Sequence, residues 1–324
     1  MQVYRDINNL PFFNNAVITI GTFDGVHTGH LQIINQLKKE AKEINGESVI
    51  ISFHPHPRMV VKNTPSAITG KAPEEIKLLN TLSEKTELLK KQHIDHLVIV
   101  PFTLEFSDQS AEEYIIDFLV SKFHPHTIII GYDHRFGKNR IGDYKLLENY
   151  QADYNYKVKE IPEHVLHDVI ISSTRIRHSL SDGNIADANE ALGYDYFFEG
   201  KVVEGNKLGR TLGYPTANID ITDANKLVPG NGVYAVEVSI DDDAPKNTVH
   251  YDGMMNIGIR PTIGGTKRVI EVNIFDFDKT IYGKNIRVYI KKFLRPEIKF
   301  NGLGELTTQL AIDEKNARHI LKTG

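Results

Sequence analysis

"GTFDGVHTGH", residues 21–30, lies between "AVITI" (16–20) and "LQIINQLKKEAKEIN" (31–45), and its three glycines and two histidines fall where one periodicity gives way to another. The run before it is short, continuous and β-branched, the pattern of a strand buried on both faces. The run after it spaces Leu31, Ile34, Leu37, Ala41 and Ile44 three or four apart, the pattern of an amphipathic helix. The glycine turn therefore sits at the carboxyl end of a strand. The helix that follows offers an anion its free backbone N–H groups and the positive end of its dipole. His27 and His30, three apart, share one face of the first turn, and Gly29 leaves room for a flat ring or a phosphate near the backbone. Two imidazoles beside free N–H groups can donate hydrogen bonds to charge developing on phosphate oxygens. The stretch has neither the Lys-Ser/Thr ending of a P-loop nor the spacing of a dinucleotide fingerprint. Taken alone, a glycine turn with two surface histidines explains it equally well.

Working outward, three further runs repeat the buried-strand pattern: "SVIISF" (48–53), "HLVIV" (96–100) and "TIIIG" (127–131). Thr81 with Glu84, ahead of "KTELLKKQ", and Ser110 with Glu113, ahead of "YIIDFLVSKF", have capping-box spacing and predict helices between them. Alternating strands and helices predict a doubly wound, Rossmann-like parallel sheet that binds ligands at the carboxyl ends of its strands. The pattern changes after about residue 182. Gly183 stops a helix, and "SDGNIADANEALG" continues as a short helical connector. From Tyr196 onward the signals are strands and turns: "YFFEGKVVEG", "GVYAVEVSI", "VIEVNIFDF" and "NIRVYIKKF". These predict an antiparallel barrel, closed by one helix over 304–322, with "DDDAPKN" (241–247) as an exposed hairpin loop. The chain of 324 residues thus divides into domains 1–182 and 183–324.

Composition narrows the function. A net charge of −4 from 38 Lys+Arg and 42 Asp+Glu argues against a nucleic-acid or membrane-surface binder. The absence of cysteine excludes disulfides, thiolate metal sites and a cysteine nucleophile, and fits a reducing compartment. "MQVYRDINNLPFFNN" lacks the layout of a signal peptide, and no apolar run approaches membrane-spanning length, so the expected location is the cytoplasm. No feature predicts an oligomeric state.

Three more stretches carry chemistry. "ISSTRIRHSL" (171–180) offers Ser173, Thr174, Arg175 and Arg177 at a second strand-to-helix transition, where hydroxyls and an arginine suit phosphate. "GRTLGYPTANI" (209–219) opens the barrel half. Gly209 and Gly213 allow a tight loop near a phosphate, and Thr216 and Asn218, two apart on an extended segment, point to the same side. Their hard oxygens suit Mg²⁺ that keeps waters and nucleotide phosphates as its other ligands. In "RVIEVNIFDF" (268–277), Glu271 lies on the face opposite Ile270, Val272 and Ile274. It is either a solvated strand carboxylate or a base that takes a proton from an attacking hydroxyl. The histidine pairs of "FHPHP" (53–57) and "FHPHT" (123–127) lack a cysteine or paired carboxylate and read as turn and packing residues, not a metal centre.

Together, "GTFDGVHTGH", "FHPHP", "PFTLEFSDQSAEEYI" (101–115), "GYDHRFGKNRIGD" (131–143) and "ISSTRIR" (171–177) resemble the bacterial bifunctional riboflavin kinase/FAD synthetase family. The resemblance runs through the second half as well. It implies an α/β nucleotidyltransferase domain of the HxGH type followed by a barrel riboflavin kinase domain. Its implied substrates are riboflavin, FMN and ATP, its product FAD, with Mg²⁺ as the metal. It also implies that His27 and His30 stabilise the ATP phosphates, and that Gly21, Phe23 and Gly29 border the nucleotide. Asp133 then holds the nucleotide or flavin phosphate, while Ser173, Thr174 and Arg177 close over the triphosphate. In the barrel, Gly209 and Gly213 would border the nucleotide, Thr216 and Asn218 would hold the metal, Glu271 would be the base, and Arg295 of "FLRPEIKF" (293–300) would face the flavin. The rival expectation is one active half, with the barrel a flavin-binding regulatory module. A metal pair kept together with a base argues against it.

Overall fold

The computed structural model describes residues 1–61, 76–161, 172–206, 208–240, 249–262 and 265–323, the side chains of 261–262 and 265–267 excepted. The loop expected over 241–247 lies outside the described residues. Contacts divide the chain into two units, Met1–Ser172 and Ser173–Gly324.

The first unit is built on six parallel strands: β1 (Gln2–Tyr4), β2 (Val17–Ile20), β3 (Ser48–His54), β4 (His96–Pro101), β5 (Thr127–Gly131) and β6 (Lys157–Ile161). Their order is β1-β4-β3-β2-β5-β6. The four apolar runs form the centre of this sheet. The two strands not foreseen, β1 and β6, are its edges. One has three residues, and the other exposes its lysines and glutamate, which is how edge strands avoid further pairing. Successive strands add to one side from β2 through β3 to β4, and β5 then crosses to the other side of β2. That reversal is a topological switch point, and the segments leaving the carboxyl ends of β2 and β5 flank it. They are the Gly21–His27 turn and the Tyr132–Asp143 loop.

The helix after the turn runs Thr28–Glu43 and buries Ile34, Leu37 and Ala41. Both capping boxes form, starting the helices Leu82–Lys90 and Ala111–Glu113. The second of these passes into a π-helical segment, Tyr114–Val120, where an ordinary α-helix was expected. Its wide turn buries two adjacent pairs, Tyr114 with Ile115 and Phe118 with Leu119. These join Phe106, Phe123 and Phe136 in one aromatic core.

The second unit contains a closed antiparallel barrel of β7 (Phe197–Val203), β8 (Ala217–Asp220), β9 (Gly232–Ile240), β10 (His250–Thr262), β11 (Gly265–Ile274) and β12 (Asn285–Arg295). The helix Leu303–Thr323 packs on β9, β10 and β12 around Ala235, Met254, Phe275 and Ala317. Of the strands, β10 was not foreseen, because Gly253, Gly258 and Pro261 interrupt its period-two pattern. The contacts divide the units earlier than the composition change at residue 182. The helix Ser173–Ser181 is tied to the barrel side, with the Gly230 N–H donating to the Leu180 carbonyl at 3.0 Å. Gly183, at φ +79°, turns the chain beneath the Phe293 ring.

Candidate active sites

The turn after β2 is held in an unusual backbone. Phe23, Gly25 and Val26 have φ of +48°, +90° and +40°. For a β-branched valine this region is a true outlier, of the kind that clusters at functional sites. Burial holds it there: Phe23 and Val26 are nearly inaccessible, and buried Asp24 accepts the Leu79 and Asn80 N–H groups at 2.9 and 3.3 Å. A Cβ at Gly21 would stand 3.1 Å from the Phe23 ring, so the ring closes over a bare backbone.

His27 is the N-cap of the helix Thr28–Glu43, its Nδ1 accepting the His30 N–H at 3.3 Å. An accepting Nδ1 leaves the proton of a neutral imidazole on Nε2. Its ring stacks on that of His30, centroids 3.7 Å apart, and Phe23 lies 5.0 Å from the other side. His30 Nδ1 is shut off from water and has no hydrogen-bond partner among the described residues. Burial, then the neighbouring His27 and Lys85 charges, hold the His30 imidazole well below its ordinary pKa, so it is neutral at neutral pH. Gly29 lies between the two histidines in the first turn. A buried polar atom without a partner, at a helix N-terminus, is suited to an incoming anion.

Across the switch point, Asp133 is exposed in the turn that leaves β5. Its loop is docked by one close approach and folded on itself by another. A Cβ at Gly137 would fall 2.7 Å from the Ala111 Cα, and one at Gly142 would fall 2.4 Å from the Phe136 ring. The sequence reading gave no site role to His134 beside it. Its Nε2 is buried without a partner among the described residues, and burial pulls its pKa down to about 4 against the opposing pull of Asp133. Ser173, Thr174 and Arg177 occupy the start of the helix that opens the second unit, Thr174 exposed and the other two half-buried.

In the barrel, strand register assembles what the sequence leaves scattered. Glu271 of β11 stands opposite Asn218 of β8 on one side and Asn256 of β10 on the other. Directly paired residues share a face of the sheet, so the three side chains form one row. Glu271 is not a solvated strand carboxylate. Its side chain is 16% exposed and ion-paired to Arg260 of β10. Thr216, just ahead of β8, lines two cavities. One, of about 250 Å³, also takes in Glu271, Arg260, Asn256, Met254 and Phe300. The other, of about 450 Å³, takes in Arg210, Lys279, Thr280 and Tyr282. The Asn273 amide donates to the Pro215 carbonyl at 2.7 Å and so ties the turn before Thr216 to β11.

Glycines make these approaches possible. A Cβ at Gly209 would fall 2.3 Å from the Tyr214 carbonyl oxygen, and one at Gly205 would fall 2.1 Å from the Asn218 amide. Gly213 turns the intervening loop at φ +83° and faces open space. Arg295 lines the smaller cavity while gripping buried Asp313 of the C-terminal helix, Nε to Oδ1 at 2.9 Å and NH2 to Oδ2 at 2.7 Å. Arg260 and Asn256 escaped the sequence reading. Their signal is "MNIGIRPT" (255–262), polar residues set around a glycine in an otherwise apolar run. Among the described residues no three His, Asp or Glu side chains converge as a metal centre, and no helix is long and apolar enough to cross a membrane.

Residues 11–175 match the FAD synthetase family model, and residues 192–321 match that of riboflavin kinase. The bifunctional riboflavin kinase/FMN adenylyltransferase of Escherichia coli K12 is 36% identical over 98% of this chain and 97% of its own. That of Listeria monocytogenes is 35% identical over 94% and 92%. A crystal structure described as a macrolide-efflux protein from Streptococcus pneumoniae covers 98% of both chains at 29% identity and a TM-score of 0.84. Two matched domains in this order, with relatives aligned almost end to end, show that the chain belongs to the bifunctional riboflavin kinase/FMN adenylyltransferase family.

Proposed function

We propose that the two sites divide the family's two reactions between them, the barrel making FMN from riboflavin and the parallel-sheet unit making FAD from FMN. In the barrel, the cavity that joins Glu271 to Met254 and Phe300 receives the flavin ring, and the cavity beyond Thr216, with Arg210 and Lys279, receives ATP. Glu271 takes the proton of the riboflavin 5′-hydroxyl as that oxygen bonds to the γ-phosphorus and ADP leaves. Gly209 and Gly213 keep the loop bare where phosphates pass, and Arg295 borders the flavin end. Thr216 and Asn218 fit Mg²⁺ by donor chemistry, a hydroxyl and an amide oxygen, as suits an ion that keeps phosphate oxygens in its shell. When bound, the ion neutralises phosphate charge.

In the first unit, a phosphate oxygen of FMN attacks the α-phosphorus of ATP and pyrophosphate leaves. No covalent nucleophile takes part; positioning and charge stabilisation carry the rate. His27 and His30 donate to the phosphates as negative charge builds, and Gly21, Phe23 and Gly29 border the nucleotide. Asp133 orients it from the other side of the switch point. Ser173, Thr174 and Arg177 hold the triphosphate. We place the domain boundary at 182/183 and the protein in the cytoplasm. The observation that carries this reading is the shared wall at Thr216, with the Glu271 carboxylate on one side and Arg210 and Lys279 on the other.

The test is to incubate the protein with riboflavin, ATP and Mg²⁺, resolve the flavins, and measure ADP and pyrophosphate separately. Both FMN and FAD are expected. FMN alone sinks the adenylyltransferase assignment, and no product with riboflavin but FAD from supplied FMN makes the barrel a regulatory module.

A further inference from the structure

Lys85 belongs to no motif, yet it is a buried cation bonded to the HxGH turn. It lies on the helix Leu82–Lys90, 8% exposed, and its ammonium reaches back beneath the carboxyl end of β2. There it donates to the Thr22 carbonyl at 3.0 Å and to Ser52 Oγ of β3 at 3.1 Å, and the Ser52 hydroxyl in turn donates to Thr22 at 3.2 Å. Thr22 is the residue directly before Phe23, where the backbone enters its positive-φ conformation. Burying an ammonium is costly, and this one is aimed at the backbone of the turn. Its hydrogen-bonded acceptors are the Thr22 carbonyl of the turn and the Ser52 hydroxyl of β3, which itself donates to Thr22.

Among the described residues, the charged and titratable groups facing it are few. Asp24 of the turn lies near enough to favour the ammonium. Its Oδ1, however, is taken up by the Leu79 and Asn80 N–H groups. His30, with His27 stacked on it, feels the Lys85 charge from the helix Thr28–Glu43. On Lys85's own helix, buried Glu84 turns away to cap Thr81. β3 contributes Ser52.

We infer that Lys85 is a positioning residue of the adenylyl-transfer site: its ammonium fixes the Thr22 carbonyl, and with it the glycine turn, and supplies the positive background in which His30 meets phosphate. The inference rests on the assignment of that site to FAD formation. Burial holds the Lys85 pKa down to about 8. The ammonium is therefore complete below that pH and lost as pH rises through it. Stability moves the other way. Between about 8 and the ordinary lysine value the unfolded chain binds more protons at this position, so the contribution of Lys85 to stability rises with pH. A rate lost in that window is not a loss of fold caused by Lys85.

The experiment measures pyrophosphate release with FMN and ADP release with riboflavin on the same preparations. In the unaltered protein, kcat for pyrophosphate release should fall as pH rises through about 8. In Lys85→Arg, which stays charged, that limb should move beyond about pH 10. In Lys85→Met, pyrophosphate release near neutral pH should fall about 10²-fold, chiefly in kcat, with ADP release within about twofold. If the methionine variant does not fold, the two pH profiles still decide. A flat profile in the unaltered protein, or a limb unmoved by arginine, overturns the inference. So does near-normal pyrophosphate release by a folded Lys85→Met. A His30→Ala protein run alongside separates the two levels. If it keeps full pyrophosphate release, the site assignment fails and the inference with it; if it alone loses that activity, only the inference fails.

Discussion

The two proposed sites are both assigned to phosphate chemistry, yet they are made of different parts of the chain. In the parallel-sheet unit the site lies where strands end. A turn with three positive-φ residues, a helix N-terminus and two stacked imidazoles all fall within ten consecutive residues. In the barrel it lies where strands run side by side, and Asn218, Glu271 and Asn256 meet only through register. Backbone supplies most of the first site and side chains most of the second. Substitutions should therefore act with different force and through different steps in the two units.

The barrel should give the largest effect. Glu271→Gln keeps size and loses basicity, so ADP release with riboflavin should fall by roughly 10²–10⁴, the usual share of a general base. Conversion of supplied FMN to FAD should stay close to normal. Kinase activity within a few-fold of the parent would leave Glu271 as the ion-pair partner of Arg260 and nothing more.

His30→Ala reverses the pattern. Removing one donor to developing phosphate charge should lower FAD formation by roughly 10²–10³, while riboflavin phosphorylation continues. A folded variant that lost both activities together would break the separation of the two sites.

What the sequence made legible follows the same division. The HxGH turn was readable because its parts are contiguous and the buried strand before it is apolar throughout. The four central strands, both capping boxes and the closing helix were readable for similar local reasons. β1 and β6 were not, since edge strands are short or charged and carry no buried-strand pattern. Arg260 and Asn256 lay beyond reach because their meaning depends on pairing across β10 and β11, which no spacing within one strand encodes. Lys85 was hidden for a related reason. It looks like one more lysine on an amphipathic helix until the fold brings it beneath Thr22. Arg295, which the sequence set only near the flavin, lines the cavity while gripping Asp313, a partner that no local spacing announces.

Asp313→Ala tests whether that grip is structural. Asp313 is 2% exposed and accepts from both Arg295 and Gln309. Its loss leaves a partly buried guanidinium unpaired, which costs about 3 kcal/mol, the lower end for a broken buried pair because the Arg295 side chain keeps some contact with water. Chemical denaturation should show that loss, and riboflavin phosphorylation should weaken as the helix Leu303–Thr323 loosens. FAD formation from FMN should persist. Equal loss of both activities under native conditions would mean that the two units do not unfold separately.

The smallest effect belongs to the first unit and turns on a single helix cap. Thr81 accepts the Glu84 N–H at 3.2 Å, and Glu84 accepts the Thr81 N–H at 2.8 Å, so two otherwise unpaired donors at the start of the Lys85 helix are satisfied. Thr81→Ala removes one of them and weakens the other. Such a cap is worth ~1 kcal/mol, which for a unit of this size lowers its midpoint by roughly 2–4 °C. The barrel transition should not move. Below that midpoint FAD formation should be nearly unchanged, because Lys85 is held by its own bonds to Thr22 and Ser52 as well as by its helix. A tenfold drop in FAD formation with so small a change in stability would mean that the cap sets the height of Lys85 beneath the turn. The strained backbone of the first site would then depend on a contact four residues before that lysine, as the barrel site depends on register.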